Sequence, residues 1–201
     1  PVEAATTVAL SPTDDVHVNI DPGKMAVRSG DHQSFNTVTN AWHTKAFLKF
    51  DLSGFSSIDS ATLYLYEIAN GWPAESDRLD LYFSQDDAWH EFSPYADIPA
   101  HTGQRIIRVN NSSGVNQWVS FDMAGYDFTP DLTDDQLTLV LQNTESGWNM
   151  TTFVSKENDN ATLHPYLEVT GELADPIPAP GAMAGLMVAL ACYSSLRKRK
   201  V

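Results

Sequence analysis

The sequence has a single cysteine among its 201 residues, Cys192. An intrachain disulfide is therefore excluded, and the chain is not one of the small secreted domains that disulfides hold together. Basic residues are also scarce, because 12 Lys and Arg stand against 26 Asp and Glu. Such an excess of negative charge repels phosphate groups, so we predict no nucleic-acid partner.

Motifs that mark common enzymes are missing as well. The chain has no G-x-S-x-G, no P-loop and no histidines at H-x-x-x-H or H-x-H spacing. Adjacent carboxylates do occur, as Asp14-Asp15, Asp86-Asp87 and Asp134-Asp135. Neighbouring residues of a strand point to opposite faces, so these doublets are poor acid–base pairs. We predict that the protein is not an enzyme and has no catalytic residues.

The chain is rich in the alternation of apolar and polar residues that is typical of β-strands. Frequent turn residues, such as Asp21-Pro22-Gly23, separate the alternating segments, and no amphipathic helix is predicted before residue 176. About nine to ten short strands predict an all-β fold, namely a β-sandwich of the jelly-roll type. The segments are DVHVNI, FNTVTN, KAFLKFDLS, ATLYLYEI, RLDLYFS, QRIIRVN, QWVSFDM, QLTLVLQN, TTFVSKE and PYLEVTG.

The C-terminus differs in character from the rest of the chain. Residues 1–175 hold eight basic residues and all 26 acidic ones, which gives them a net charge of −18. Residues 181–196 are uncharged, and as a helix they would measure about 24 Å, which is short for a bilayer core of about 30 Å. We predict a single C-terminal hydrophobic helix that enters the membrane. Its basic end, on the cytoplasmic side, is Arg197, Lys198, Arg199 and Lys200.

A proline-rich turn, a short apolar helix and a terminal Arg/Lys cluster resemble, in this order, the PEP-CTERM sorting signal of Gram-negative bacteria. The turn is Pro178, Ala179 and Pro180, with Ala where the family has Glu. The resemblance implies export, with an exosortase-type sorting protease and the inner membrane as partners. It also implies transient membrane anchoring before delivery to the cell surface or extracellular matrix, and a plain membrane anchor is the alternative.

The same features predict four regions along the chain. They are an N-terminal extension, a β-sandwich domain, a Pro-rich linker and a transmembrane sorting helix with a basic end. Their boundaries are 1–13, 14–171, 172–180 and 181–201.

Three tryptophans lie in the turn-like segments TNAWHTK, ANGWPAE and ESGWNMT. Aromatic rings stack on the apolar C–H faces of sugars, and neighbouring polar side chains bind the hydroxyl groups. The sequence therefore predicts a carbohydrate-binding surface, with no metal assigned to it. The alternative is that the loop tryptophans cap the ends of the hydrophobic core. The candidate binding residues are Trp42, His43, Lys45, Trp72 and Trp148.

Five further motifs follow one another along residues 14–171. In this order they resemble the DNRLRE-type domains, which are allied to the alginate-binding family of carbohydrate-binding modules. The resemblance implies a β-sandwich that binds a polysaccharide without catalysis. The motifs are Leu48–Leu52, Ser60–Leu65, Trp89–Glu91, Phe153–Glu157 and Pro165–Val169.

The charge of the chain leaves the kind of polysaccharide open. An anionic polysaccharide needs a local basic patch, because the domain as a whole is strongly acidic. The patch has to outweigh the field of the whole domain, which is screened beyond about 8 Å at physiological salt. The alternative to such a patch is that the available cations form ordinary ion pairs with the many carboxylates. These cations are Lys45, Lys49, Arg105, Arg108 and Lys156.

Loops rich in Asp and Asn offer oxygen ligands that calcium prefers, as at Asp14-Asp15 and Glu157–Asn160. One structural calcium is therefore left open, and no other cofactor is predicted.

The sequence leaves two candidate functions. The first is an exported, non-catalytic module that binds a polysaccharide through loop aromatics. The second is a structural or adhesive protein of the extracellular matrix with no specific glycan ligand.

Overall fold

The computed structural model describes residues 5–19, 26–29, 34–38, 44–71, 77–99, 104–111, 115–144 and 150–174. Within these ranges the chain forms twelve strands, three one-turn 3₁₀ helices and no α-helix. The all-β prediction is confirmed, whereas the predicted C-terminal helix lies outside the described residues. The strands are β1 (Thr6–Leu10), β2 (Asp14–Asn19), β3 (Ala26–Ser29), β4 (Ser34–Val38), β5 (Thr44–Asp51), β6 (Phe55–Gly71), β7 (Asp77–Ser84), β8 (Arg105–Asn111), β9 (Gln117–Asp122), β10 (Gln136–Asn143), β11 (Met150–Val154) and β12 (Tyr166–Leu173). The 3₁₀ helices are Tyr95–Asp97, Asp131–Thr133 and Ala161–Leu163.

The strands form two antiparallel layers. Layer A consists of β1, β12, β6, β9, β11 and β4, and its central strand β6 pairs with β12, β9 and β11. Layer B runs in the order β3-β2-β5-β10-β7-β8. One residue pair, Val38 with Thr44, joins β4 to β5 and so connects the two layers. These two antiparallel layers confirm the predicted β-sandwich, and its jelly-roll type stays a prediction.

Ten of the strands coincide with the predicted segments, and β1 and β3 have no counterpart among them. β1 lies within the stretch predicted as an N-terminal extension, and it pairs with β12 over five residues. The predicted domain boundaries stay a prediction.

The main core lies between the two layers. Side chains of a strand alternate between its faces, so every second residue of the central strands enters this core. In β5 these residues are Ala46, Leu48 and Phe50, and all three are fully buried. The facing side chains of layer A include Leu63, Leu65, Phe121, Phe153, Leu167 and Val169.

A second core covers the outer face of layer B. The chain between β7 and β8 crosses this face and places Trp89 against Phe47 and Val140, with the Phe47 and Trp89 ring centres 6.0 Å apart. The indole N–H of Trp89 donates to Thr138 Oγ1 at 2.9 Å. Trp89 is 0% exposed, so it holds the crossing segment to the sheet.

A glycine at a β-bulge yields a first prediction. The pairing of β12 with β6 shifts between Thr170 and Gly171, and a Cβ atom on Gly171 would lie 2.1 Å from the carbonyl oxygen of Ser57. Gly171→Ala therefore forces the two strands apart, and we expect it to lower the free energy of unfolding by about 1–3 kcal/mol. Urea unfolding measures this loss.

Gly54→Ala is the matched control, because nothing lies within 4 Å of the added Cβ atom. An equal loss of stability in both variants would contradict the close approach at Gly171.

Candidate functional site

Four aromatic side chains lie together on the outer face of layer A. They are named here the aromatic platform and comprise Tyr64 and Tyr66 of β6, Trp118 of β9 and Tyr166 of β12. The pairing register places Tyr66 opposite Trp118 and Tyr64 opposite Tyr166. Their neighbours in sequence point into the main core, so the alternation of each strand directs these rings outward. The buried neighbours are Leu63, Leu65, Val119 and Leu167.

The rings of the platform contact one another in a continuous chain. Tyr64 and Tyr166 are stacked, with ring centres 4.7 Å apart. Trp118 stands edge to face against Tyr66 at 5.3 Å and against Tyr166 at 5.4 Å. Cross-strand pairs of this kind stabilise a sheet and hold each ring in a fixed orientation. The platform is therefore a preformed surface.

The platform leaves aromatic surface open to solvent. Trp118 is 39% exposed, which makes it one of the few large apolar side chains of the described residues with so much open surface. The rings span three neighbouring strands, or about 10 Å at about 4.8 Å per strand spacing. Burial, with the nearby Tyr64 and Glu168, raises the pKa of Tyr166. An apolar ring beside phenol hydroxyls suits a ligand that has both C–H faces and hydroxyl groups.

A surface cavity of about 400 Å³ opens beside the loop after β9. Asp131, on the adjoining 3₁₀ helix, is buried, and this burial raises its pKa to about 7. The ring of Phe128 in the lining is buried and packs on Tyr126. The lining of the cavity is Ser56, Ser57, Ile58, Tyr126, Asp127, Phe128, Thr129, Leu132 and Thr133.

The sequence-predicted cations of layer B are engaged by the protein itself. Lys49 is buried, its ammonium group lies 3.2 Å from Asp14, and it also donates to the Trp89 carbonyl. Arg108 binds the buried Asp80 through two contacts of 2.6 Å, and Arg105 approaches the same carboxylate at 3.6 Å.

The ion pairs also affect the ionisation of Asp80. Burial alone would raise the pKa, yet the hydrogen bonds and charge of Arg108 hold it below its usual range. Ion pairing, the alternative for these cations, is thus observed for Lys49, Arg105 and Arg108.

The two segments named as sources of calcium ligands meet at one place, where Asp15 lies on β2 and Glu91 of the crossing segment joins them. Asp15, Glu91 and Glu157 each bring a carboxylate oxygen within 4.8 Å of the others. The Lys156 ammonium group contacts Glu91 at 2.7 Å and also Glu157, while the Lys156 backbone N–H donates to Asp15 at 2.8 Å. Burial, with the nearby Glu157, raises the pKa of Asp15. A calcium ion here would displace the Lys156 ammonium group. One structural calcium stays open, as in the sequence analysis.

One of the five sequence-predicted binding residues, Lys45, lies within the described residues. Trp42, His43, Trp72 and Trp148 lie outside the described residues. Lys45 is half-buried at the start of β5, and this burial lowers its pKa. The register of β5 against β10 puts Lys45 in layer B, away from the platform. The loop site therefore stays a prediction.

The aromatic platform has no counterpart among the predicted site residues. The signal for it is present in the sequence. ATLYLYEI alternates tyrosine with leucine, and the alternation in QWVSFDM puts Trp118 on one face of the strand and the buried Val119 and Phe121 on the other. What a sequence does not reveal is that β12 and β9 flank β6 in register, which brings four rings from three strands together.

The predicted sorting signal also falls outside the described part of the chain, from Pro178 to Lys200. Within the described ranges, no helix is both long and apolar enough to cross a membrane.

Comparison with solved structures finds a distant similarity to endo-1,4-beta-D-xylanase 10B of Clostridium thermocellum, in its CBM22-1–GH10 modules complexed with xylohexaose. The identity is 9% and the TM-score 0.37, over 86% of this chain and 30% of that chain. The present chain thus spans less than a third of the xylanase structure. No curated protein matches the chain significantly.

The family model of carbohydrate-binding module family 96 matches residues 6–171, from the start of β1 into β12. The match confirms the prediction of a carbohydrate-binding domain over nearly all of the acidic part of the chain, and it indicates a non-catalytic binding module. The chain belongs to carbohydrate-binding module family 96.

Proposed function

We propose that the protein binds a polysaccharide without catalysis, and that the aromatic platform is the main contact surface. The observation that carries this proposal is the exposed ring of Trp118, held edge to face between Tyr66 and Tyr166 on the outer face of layer A. A ring fixed in this way loses little conformational entropy when a ligand covers it.

The physical basis is the burial of apolar area. A sugar ring stacked on Trp118 removes the remaining open face of the indole from water, and the tyrosine hydroxyls offer hydrogen bonds at the edge of the platform. The predicted loop aromatics Trp42, Trp72 and Trp148 are proposed as further contacts. The DNRLRE-type resemblance supports this function, and alginate is one polysaccharide to be tested.

Affinity electrophoresis of the whole chain tests the proposal. The protein is run through gels that contain a neutral β-glucan, a galactomannan, alginate, pectin or a sulfated polysaccharide, with calcium or with EDTA. Retardation in at least one gel, relative to a gel without polysaccharide, is the expected result. Normal mobility in every gel would contradict the proposal and favour a structural or adhesive matrix protein without a glycan ligand.

Export is the second part of the proposal. The chain would be delivered to the cell surface or extracellular matrix after transient anchoring in the inner membrane, with an exosortase-type protease as its sorting partner. The support is the layout of the tail, in which Pro178-Ala179-Pro180 precedes an apolar segment and the cluster Arg197–Lys200. Replacing Arg197–Lys200 by serine should disturb surface delivery, as cell fractionation would reveal. Unchanged localisation would contradict the sorting signal.

A further inference from the structure

We propose that the surface cavity beside the loop after β9 is a second carbohydrate site, which takes a single sugar ring with neighbouring free hydroxyl groups. The ring belongs to a free monosaccharide or to the end of a polysaccharide chain, since both present these hydroxyl groups. The proposal goes beyond the aromatic platform, because the platform and the cavity share no residue.

The cavity lies where the loop between β9 and β10 packs over the first residues of β6. Backbone hydrogen bonds fix this loop, residues 123–135, at both ends. The N–H of Met123 donates to the Ala61 carbonyl at 3.0 Å, which ties the start of the loop to layer A. The N–H of Leu52 donates to the Asp135 carbonyl at 2.8 Å, which ties its end to the turn after β5.

The aromatic side of the cavity is preformed. Tyr126 packs against Phe83 and Phe128, with ring centres 5.4 Å and 4.8 Å away. Its hydroxyl group donates to Asp131, which is buried behind it in the same loop. The ring of Tyr126 therefore keeps one orientation, and a ligand that contacts it does not have to order it.

The lining combines apolar side chains with hydroxyl groups and one carboxylate. The apolar side chains suit the C–H face of a sugar ring, and the polar ones suit its hydroxyl groups. The volume of about 400 Å³ is near the lower end of the range for ligand pockets, so a short ligand fits better than a long chain. The apolar side chains are Ile58, Tyr126, Phe128 and Leu132, and the polar ones are Ser56, Ser57, Asp127, Thr129 and Thr133.

Two hydroxyl groups of the lining already donate within the protein. That of Ser56 donates to the carbonyls of Glu172 and Leu173, at 3.3 Å in each case. That of Thr133 donates to the Thr129 carbonyl at 3.3 Å. A hydroxyl group that donates in this way keeps its lone pairs as acceptors. Such oxygens accept hydrogen bonds from a ligand that is rich in O–H groups.

Asp127 supplies the strongest acceptor of the cavity. It is exposed, and hydrogen bonds from the hydroxyl and backbone N–H of Thr129 hold its pKa below the usual range, so it is ionised at neutral pH. An ionised carboxylate accepts through two oxygens, and its hydrogen bonds are about twice as strong as those between neutral groups. Two neighbouring hydroxyl groups of one sugar ring fit the two oxygens of Asp127.

The cavity and the platform are separate sites on the same strand. Ser57 and Tyr64 of β6 are up to about 23 Å apart, at about 3.3 Å per residue. One sugar ring cannot occupy both places, so binding at each site can be measured independently of the other.

NMR titration of the isotope-labelled whole chain with glucose, mannose, galactose, xylose or mannuronate tests the proposal. The backbone N–H signals of Ser57, Asp127 and Thr129 report on the cavity. We expect these signals to shift saturably with at least one of the sugars, with a dissociation constant in the millimolar range. An oligosaccharide that ends in the same sugar distinguishes the two sources, because tighter binding than that of the free ring assigns the cavity to a chain end.

Asp127→Ala should weaken this binding at least tenfold, because it removes both carboxylate oxygens. Asp97→Ala is the matched control, since it removes the same charge from an exposed residue outside the cavity and should leave the binding unchanged. Thr133→Trp keeps the carboxylate but fills the cavity from an exposed position, and it should abolish the shifts. Trp118→Ala should leave the cavity shifts as they are in the wild type.

Absence of saturable shifts in the cavity with every sugar would overturn the second site. Shifts that persist in both Asp127→Ala and Thr133→Trp would overturn it as well, and so would shifts that disappear in Trp118→Ala. None of these results contradicts the proposed function, which is tested by retardation in polysaccharide gels. Conversely, normal mobility in every gel together with saturable cavity shifts would contradict the platform and support the second site.

Discussion

Trp118→Ala is expected to weaken glycan binding by about tenfold or more. The exposed 39% of a side chain of up to about 250 Å² is about 100 Å² of mainly apolar surface. Covering this surface with a sugar ring contributes at most about 2.5 kcal/mol to the binding free energy, at about 25 cal/mol per Å². A loss of about 1.4 kcal/mol lowers the affinity tenfold. The dissociation constant, taken from retardation against polysaccharide concentration, measures the effect.

Trp118→Phe is the informative companion variant, because it keeps an aromatic face and should keep part of the affinity. The fold should survive the alanine variant, since Trp118 belongs to neither buried core and loses only its edge contacts with Tyr66 and Tyr166. Such contacts contribute about 0.5–1.5 kcal/mol each. Unchanged affinity in a folded Trp118→Ala protein would exclude the platform as the main contact surface.

Trp89→Ala is expected to lower the free energy of unfolding by about 3–5 kcal/mol. Trp89 is 0% exposed, and its removal leaves a cavity among Phe47, Val16 and Val140 on layer B. It also leaves the Thr138 hydroxyl without its indole donor and removes the ring beside which the Lys49 ammonium group lies, 5.1 Å from the ring centre. Urea or thermal unfolding measures the loss.

A smaller loss in Trp118→Ala, measured under the same conditions, is the control that separates the two tryptophans. Glycan affinity of any folded Trp89→Ala fraction should stay near that of the wild type, because Trp89 packs on the outer face of layer B, away from the platform. A stability loss in Trp89→Ala no greater than that in Trp118→Ala would contradict the second core.

Much of the fold follows from local alternation. In KAFLKFDLS the pattern assigns Ala46, Leu48 and Phe50 to one face, and these are the residues that enter the main core. Phe47 and Lys49 point to the other face, which the alternation alone would leave in solvent. They are buried because the segment that contains Trp89 crosses this face, and such a crossing is a non-local event that strand patterns do not encode.

The candidate site was harder to predict for the same reason. The sequence points to tryptophans in turns, where exposure is the default, and gives no weight to the alternate tyrosines of β6. Tyr166 is about 100 residues from Tyr64 in sequence, and only the β12–β6 register makes them neighbours.

Titration of the isotope-labelled whole chain with a soluble oligosaccharide of the polysaccharide that retards it, followed by NMR of the indole N–H groups, tests the central claim most directly. The spectra of Trp118→Phe and Trp89→Phe assign the two resonances that matter. We predict that the Trp118 resonance shifts with saturable dependence on oligosaccharide, while that of Trp89 stays in place. Shifts confined to the other tryptophans, with Trp118 unaffected at saturation, would contradict the platform as the glycan-binding surface.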